Sequence, residues 1–93
     1  MIAGFEWDEF KARQNLAKHG VSFVEATTVF FDPLSITVDD PDHSQGEQRY
    51  LIIGYLHRGR LLVVVHVDKG DNICIISVHT ATGYERRIYE EGT

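Results

Sequence analysis

A group of lysine, histidine and arginine residues in this sequence has the side-chain types needed to cleave RNA without a metal ion. Such cleavage requires a base that takes the proton of the 2′-hydroxyl and an acid that protonates the leaving 5′-oxygen. It also requires cations that stabilise the charged phosphorane. Only RNA carries the attacking hydroxyl. Residues of suitable type are Lys18, His19, Arg49, His66, His79, Arg86 and Arg87.

Most of these residues, and Arg60, also have a plain structural explanation. Lys18 and His19 fall where the last turn of a helix is expected, and their charge would complement the helix dipole. Arg49 and Arg60 can be charges at strand edges, and His66 and His79 can be structural histidines. Spacing alone does not choose between the two explanations.

Common cofactor and metal motifs are absent from the sequence. It has no glycine-rich phosphate loop, no paired CxxC and no His-Glu-x-x-His. The histidines at positions 19, 43, 57, 66 and 79 do not follow a metal-ligand spacing. We therefore expect no cofactor and no metal site.

Charge and composition predict a small cytoplasmic domain. The 93 residues suit one domain covering 1–93. The net charge of −5 argues against binding nucleic acid through overall charge, although a local basic patch is compatible with it. No segment has the length and hydrophobicity of a membrane span or a signal peptide. Cys74 is the only cysteine, which favours a reducing compartment.

The hydrophobic pattern predicts an α+β fold with a single antiparallel sheet, two N-terminal helices and a short C-terminal helix. Helices are expected near 8–18 and 22–30, and a short strand near 2–7. Strong strand signals cover 49–55, 60–67 and 72–79 and are joined by short glycine-containing links, which indicates hairpins. A weaker strand signal covers 34–38. Capping boxes at Ser22/Glu25 and Thr82/Glu85 begin the second and last helices.

Alternation along the middle strand suggests which sheet face is core. Leu61, Val63, Val65 and Val67 form a wholly apolar face, whereas the opposite face has Arg60 and His66 at its ends. We expect the helices to cover the apolar face and a partner to cover the other. The face that carries His79 cannot be chosen from the pattern, because both faces of its strand are apolar.

Several segments taken together resemble the BrnT family of toxins from type II toxin–antitoxin systems. They are Phe5–Asp8, Asn15–Phe23, the Phe-Phe-Asp-Pro ending at Pro33, Gly46–Arg49 leading into Leu51–Gly54, Arg60–His66, and Ile75–Ser77 leading to Glu85–Glu90. The resemblance covers nearly the whole chain. It implies a RelE-like fold and a ribonuclease that inhibits translation. It also implies neutralisation by a BrnA-like ribbon-helix-helix antitoxin, through which the complex would bind operator DNA.

The resemblance also implies which residues act. Trp7, Lys18, His19, Arg49, His66 and Glu85–Arg87 match the family motifs. We expect Lys18 and His79 to transfer protons and Arg49 and Arg86 to bind and stabilise the phosphate. Residues expected to contact RNA are His19, Arg60, His66 and Arg87.

The sequence departs from the family pattern near the expected active face. His79 stands where an arginine is usual, and Gly83 and Tyr84 stand where basic residues are frequent. Histidine exchanges protons near neutral pH but cannot clamp a phosphate in two places as arginine does. A toxin with weakened catalysis, acting mainly as an antitoxin-binding module in operon autoregulation, is therefore the alternative hypothesis.

Overall fold

The computed structural model describes residues 4–40, 46–56 and 59–92. Its helices are α1 (Glu9–His19), α2 (Phe23–Thr27) and α3 (Gly83–Glu91), and a 3-10 turn covers Thr28–Phe31. Its strands are β1 (Phe5–Glu6), β2 (Ile36–Asp39), β3 (Tyr50–Tyr55), β4 (Leu61–Lys69) and β5 (Asn72–Thr80). The α+β class is confirmed, and β3, β4 and β5 begin and end within two residues of their predicted bounds.

The five strands form one sheet in the order β1-β5-β4-β3-β2. The pairs β2–β3, β3–β4 and β4–β5 are antiparallel, but β1 pairs with β5 in parallel through Phe5–Ile73 and Glu6–Cys74. The prediction of a purely antiparallel sheet was therefore wrong. Hairpin links fix the direction of neighbouring strands, and no hairpin joins β1 to β5.

Side-chain caps begin all three helices. The Asp8 carboxylate accepts hydrogen bonds from the backbone N–H groups of Phe10 and Lys11. The capping boxes of Ser22 with Glu25 and of Thr82 with Glu85 both form, as predicted. Gly20 ends α1 with φ +71°, a conformation that favours glycine.

The second helix is shorter than predicted, because α-helical geometry ends at Thr27 and a 3-10 turn follows. The hydroxyls of Thr27 and Thr28 donate to the carbonyls of Val24 and Glu25, both at 2.7 Å. Such back-bonding, in a run of β-branched residues, weakens regular helix.

Both faces of the sheet are covered. On the face that we call inner, Leu62 and Val64 pack with Ile52 beneath α1, α2 and the 3-10 turn. On the outer face, Leu61 and Val63 pack with Ile53 and meet α3. The N-terminal helices thus cover the face that carries Arg60 and His66, contrary to the prediction. Both faces of β4 are apolar along most of its length, so alternation could not distinguish them.

The C-terminal helix is held on the sheet by a hydrogen bond to Asp32. Tyr89 Oη donates to Asp32 Oδ2 at 2.7 Å, and the same carboxylate accepts from the backbone N–H groups of Leu34 and Tyr55. Burial by itself would raise the pKa of Asp32, but these hydrogen bonds lower it. Burial and Asp32 also raise the pKa of Tyr89 to about 12. Asp32 therefore joins the 3-10 turn, β3 and α3. None of the helices in the described ranges could span a membrane.

Candidate active site

His79 lies on the outer face of the sheet and is held by a carboxylate. Its cross-strand partner is Val63, which belongs to the core beneath α3, and directly opposed residues point to the same face. His79 Nε2 lies 3.0 Å and 3.2 Å from the two carboxylate oxygens of Glu85. Because a carboxylate only accepts hydrogen bonds, Nε2 carries the proton and Nδ1 is the ring nitrogen available for chemistry.

Glu85 is fixed by the start of α3. Its Oε1 accepts from the backbone N–H of Thr82 at 2.9 Å, within the capping box. Burial by itself would raise the pKa of Glu85, but the hydrogen bonds from Thr82 and His79 and the attraction of the His79 ring together lower it. The helix cap thus supplies an ionised group that orients a histidine, an arrangement typical of general acid–base sites.

The C-terminal turn of α1 brings more basic groups to this histidine. The ring centroids of His19 and His79 are 6.2 Å apart. Lys18 and His19 line a surface depression of about 740 Å³ between α1 and β5. Lys11 also lines it, and none of the described residues that form its wall is acidic. We call this the basic depression.

A β-bulge shapes the floor of the basic depression. Val65 pairs with Ser77 and His66 pairs with Ile75, so Ile76 is an extra residue on β5. Ile76 and Ser77 both line the depression. A bulge bends its strand, increases the local twist and interrupts the regular pairing with the neighbouring strand. The backbone of β5 is therefore irregular where it forms the floor of the basic depression.

Arg86 follows Glu85 on α3 and lies over the end of β3. Its Nη1 donates to Tyr55 Oη at 3.4 Å. Arg87 is exposed on the same helix. Arg60 Nη2 donates to Thr80 Oγ1 at 3.3 Å; Thr80 follows His79 in sequence but opposes Leu62 on the inner face. The structure therefore brings Arg60, His79 and Arg86 to one end of the sheet.

Arg49 lies at the other end. It shares the outer face, because it alternates with Leu51 and Ile53. It precedes β3, whereas Tyr55, the partner of Arg86, ends it. Arg49 and Tyr55 are six residue steps apart, which is roughly 20 Å along an extended strand. Arg49 Nη2 also lies 3.7 Å from Glu47 Oε1, so Arg49 and Arg86 do not converge on one phosphate.

His66 is buried on the inner face, 6% exposed. Its ring stacks on Tyr50 with centroids 5.7 Å apart and meets the ring of Phe30 edge to face at 5.0 Å. Burial lowers the pKa of His66, and Asp68 opposes that shift. This placement keeps its ring away from the basic depression. Trp7 likewise packs edge to face on Phe23, at 5.9 Å.

Two residues of the site were missed as functional groups by sequence analysis. Glu85 was identified as a helix cap and as part of a family motif, without a role for its carboxylate, and Asn15 only as part of a family segment. Asn15 is the buried residue of α1, and its amide pairs with the backbone of Val78. Asn15 could have been found from the sequence as a polar residue on the helix face that meets the sheet.

No group of three or more histidine, cysteine, aspartate or glutamate residues that could hold a metal ion occurs within 4–40, 46–56 and 59–92. His43 and His57, two of the five histidines considered above, lie outside those ranges.

Comparisons with known proteins agree with this architecture. Residues 7–85 match the sequence model of a family described as the ribonuclease toxin BrnT of type II toxin–antitoxin systems. Curated protein sequences give no match. The crystal structure of the Brucella abortus ribonuclease toxin BrnT is similar with a TM-score of 0.64 and 25% sequence identity, over 84% of this chain and 95% of that one. The chain therefore belongs to the BrnT family of ribonuclease toxins of type II toxin–antitoxin systems.

Proposed function

We propose that this protein is a metal-independent endoribonuclease with its catalytic centre at His79. The observation that carries the proposal is the hydrogen bond of His79 Nε2 to Glu85, which leaves Nδ1 available beside His19. A histidine oriented by a carboxylate, with a second basic group nearby, is a suitable arrangement for acid–base catalysis.

The reaction is an internal transesterification. One group removes the proton of the 2′-hydroxyl, and the 2′-oxygen then bonds to phosphorus. The bond from phosphorus to the 5′-oxygen breaks, and that oxygen leaves with a proton from a second group. The products are a 2′,3′-cyclic phosphate and a 5′-hydroxyl. His79 and Lys18 transfer the two protons, and Arg86 stabilises the charge on the phosphorane.

Other basic residues bind the RNA on either side of the scissile bond. His19 in the basic depression and the exposed Arg87 on α3 are suitably placed for phosphate contacts. Arg60 is at the same end of the sheet as His79 but on the inner face, and contacts a phosphate farther from His79. Arg49 is too far from His79 to share its phosphate and contacts a more distant nucleotide. His66 has no role in this proposal because its ring is buried on the inner face.

The proposed biological role is that of a toxin neutralised by a protein antitoxin. The whole chain 1–93 acts as one RelE-like domain in the cytoplasm and inhibits translation by cleaving RNA. A BrnA-like ribbon-helix-helix antitoxin neutralises it and carries the complex to operator DNA. The inner face expected to receive that antitoxin is covered by the protein's own helices. We therefore place the antitoxin on the outer face, over the basic depression.

A second candidate is a weakened toxin that serves mainly as an antitoxin-binding module. It is favoured by the start of α3, where Gly83 and Tyr84 are exposed and supply no charge. It is favoured also by Glu85, whose charge offsets that of a protonated His79. Growth arrest on expression without antitoxin separates the two candidates: strong arrest supports the ribonuclease, and normal growth supports the binding module.

The direct test is incubation of purified protein with RNA in EDTA, comparing wild type with Arg86→Ala. We expect cleavage by wild type in the chelator, with new 5′-hydroxyl ends, and little cleavage by the variant. Activity that disappears in EDTA and returns with a divalent ion would contradict metal independence. Absence of cleavage under every condition would favour the binding module.

A further inference from the structure

Helix α1 is attached to the sheet through an amide instead of a broad apolar face. Asn15 is its buried residue, 7% exposed, whereas Phe10 and Leu16 on the same helix are 60% and 49% exposed. An apolar contact tolerates small sliding movements, but an amide docks only where both its donor and its acceptor find partners. The position of α1 along β5 is therefore set mainly by Asn15.

The hydrogen bonds of Asn15 resemble those of a neighbouring strand. Its Nδ2 donates to the carbonyl of Val78 at 2.9 Å, and its Oδ1 accepts from the N–H of the same residue at 3.1 Å. Nδ2 also donates to the carbonyl of Val21 at 3.3 Å, beyond the end of the helix. Within residues 4–40, strand β1 pairs with β5 at Ile73 and Cys74, and Asn15 occupies the same edge farther along.

This attachment lies between the two halves of the proposed site. Val78 immediately precedes His79 on β5. Lys18 and His19 follow Asn15 by about one helical turn, so they lie on the same side of α1. The His19 and His79 rings are 6.2 Å apart. The helix that carries His19 and the strand that carries His79 are joined close to both rings by the amide of Asn15.

We propose that Asn15 is a positioning residue. It fixes how far Lys18 and His19, on α1, lie from His79, on β5. The catalytic part of this inference rests on the function proposed above, and the geometric part does not. Asn15 itself transfers no proton and binds no phosphate. Loss of its amide lets α1 shift along β5, and a misplacement of about 1 Å costs roughly a hundredfold in rate.

The test uses Asn15→Asp, which keeps the acceptor but loses the donor, and Asn15→Leu, which keeps the branched shape but loses both donor and acceptor. Leu16→Ala is the matched control, because Leu16 is half exposed on the same helix and lies outside the basic depression. We expect kcat for RNA cleavage to fall about a hundredfold in both Asn15 variants with little change in KM. The control should retain wild-type kcat. Folded Asn15 variants with wild-type kcat would overturn the proposal.

Nuclear magnetic resonance tests the geometry without depending on activity. In wild type we expect through-space contacts between the His19 and His79 rings and a strongly protected Val78 amide proton. In folded Asn15 variants the ring contacts should weaken, and unchanged contact intensities would overturn the proposal. Rapid exchange of the Val78 amide in wild type would overturn the proposal even if both variants failed to fold. If wild type does not cleave RNA, the proposed function fails, and the ring contacts still decide whether Asn15 positions the helix.

Discussion

The two ends of the outer sheet face carry similar numbers of charged residues but differ in how cations and carboxylates are arranged. At the His79 end, Glu85 orients the histidine, and the adjacent basic depression has only basic charges among the residues described along its wall. At the Arg49 end, a second depression is lined by three cations and three carboxylates. Those six residues are Lys11, Arg49, Lys69, Glu6, Asp8 and Glu47.

The difference shows that the placement of charge matters more here than its amount. A carboxylate beside an exposed cation adds little to stability, but it lowers the attraction of that cation for phosphate. Arg49 has Glu47 at 3.7 Å, so its attraction for phosphate is partly offset. We expect catalysis at the His79 end and weaker, salt-sensitive RNA contacts at the Arg49 end.

The largest expected effect comes from His79→Gln. Glutamine can still hydrogen-bond to Glu85 but does not exchange protons near neutral pH. The RNA cleavage rate should therefore fall by about 10²- to 10⁴-fold, as expected when a general acid or base is removed. Single-turnover cleavage of a short RNA measures it, with circular dichroism as the control for folding.

His79→Arg tests the same position with the residue that the family resemblance leads us to expect there. The sequence favours retained or increased activity in this variant, whereas the proton transfer proposed for His79 predicts loss. Full activity in His79→Arg together with loss in His79→Gln would assign a charge-stabilising role to position 79. Loss in both would assign proton transfer.

Arg86→Ala and Arg49→Ala compare the two ends directly. Both were expected from sequence to relieve toxicity. With the structure, we expect Arg86→Ala to lower the cleavage rate about a hundredfold, typical of losing one charge-stabilising donor. Arg49→Ala should lower it less than about tenfold, and mainly by raising KM. Equal losses in kcat would show that the Arg49 end also acts in the transition state.

Glu47→Gln should strengthen RNA binding by a small factor. Removing the carboxylate leaves Arg49 unopposed by Glu47, and exposed ion pairs of this kind are worth about 0.2–1 kcal/mol, or up to about fivefold in affinity. Titration with a non-cleavable RNA at low salt measures the change. Glu9→Gln, on exposed helix surface, is the control because it alters net charge equally. An equal gain in both variants would mean that only net charge matters.

Replacing His66 should change the stability of the protein and leave its catalytic rate unchanged. The folded pKa of His66 is lowered by burial, so the unfolded chain binds the proton more readily. The contribution of the neutral His66 ring to the free energy of unfolding is therefore present above the unfolded pKa of about 6.5. It is lost as the pH falls below that value. Urea unfolding at pH 7.5 and pH 5.5 should show a smaller pH dependence in His66→Phe than in wild type. A change in the pH profile of kcat in this variant would instead connect the inner face to the site.

Sequence reasoning predicted the elements whose signals are local. The caps at Ser22 and Thr82 and the hairpins joining β3, β4 and β5 depend on residues within a few positions of each other. The direction of β1 depends on pairing between Phe5 and Ile73, which no local pattern encodes. The same limit applies to the sheet faces, since Leu62 and Val64 are as apolar as Leu61 and Val63 and only the position of the helices distinguishes them.

The candidate site was predicted in its residue types more than in its arrangement. His79 and Arg86 were identified, and the structure brings both to one end of the sheet. The roles of Glu85 and Asn15 arise from contacts with His79 and Val78. The Asn15 contact joins residues 63 positions apart. Arg49 shares the expected face but lies too far along β3 to join them.

The parallel pairing of β1 with β5 has a consequence for the order of events during synthesis. The N-terminal segment leaves the ribosome first, yet its sheet partner, Ile73 and Cys74, is made much later. His79 and then Glu85 follow later still. A nascent chain that has not yet released Glu85 contains Lys18 and His19 but lacks the oriented histidine. On the mechanism proposed above, such a nascent chain is inactive as a ribonuclease until Glu85 has emerged.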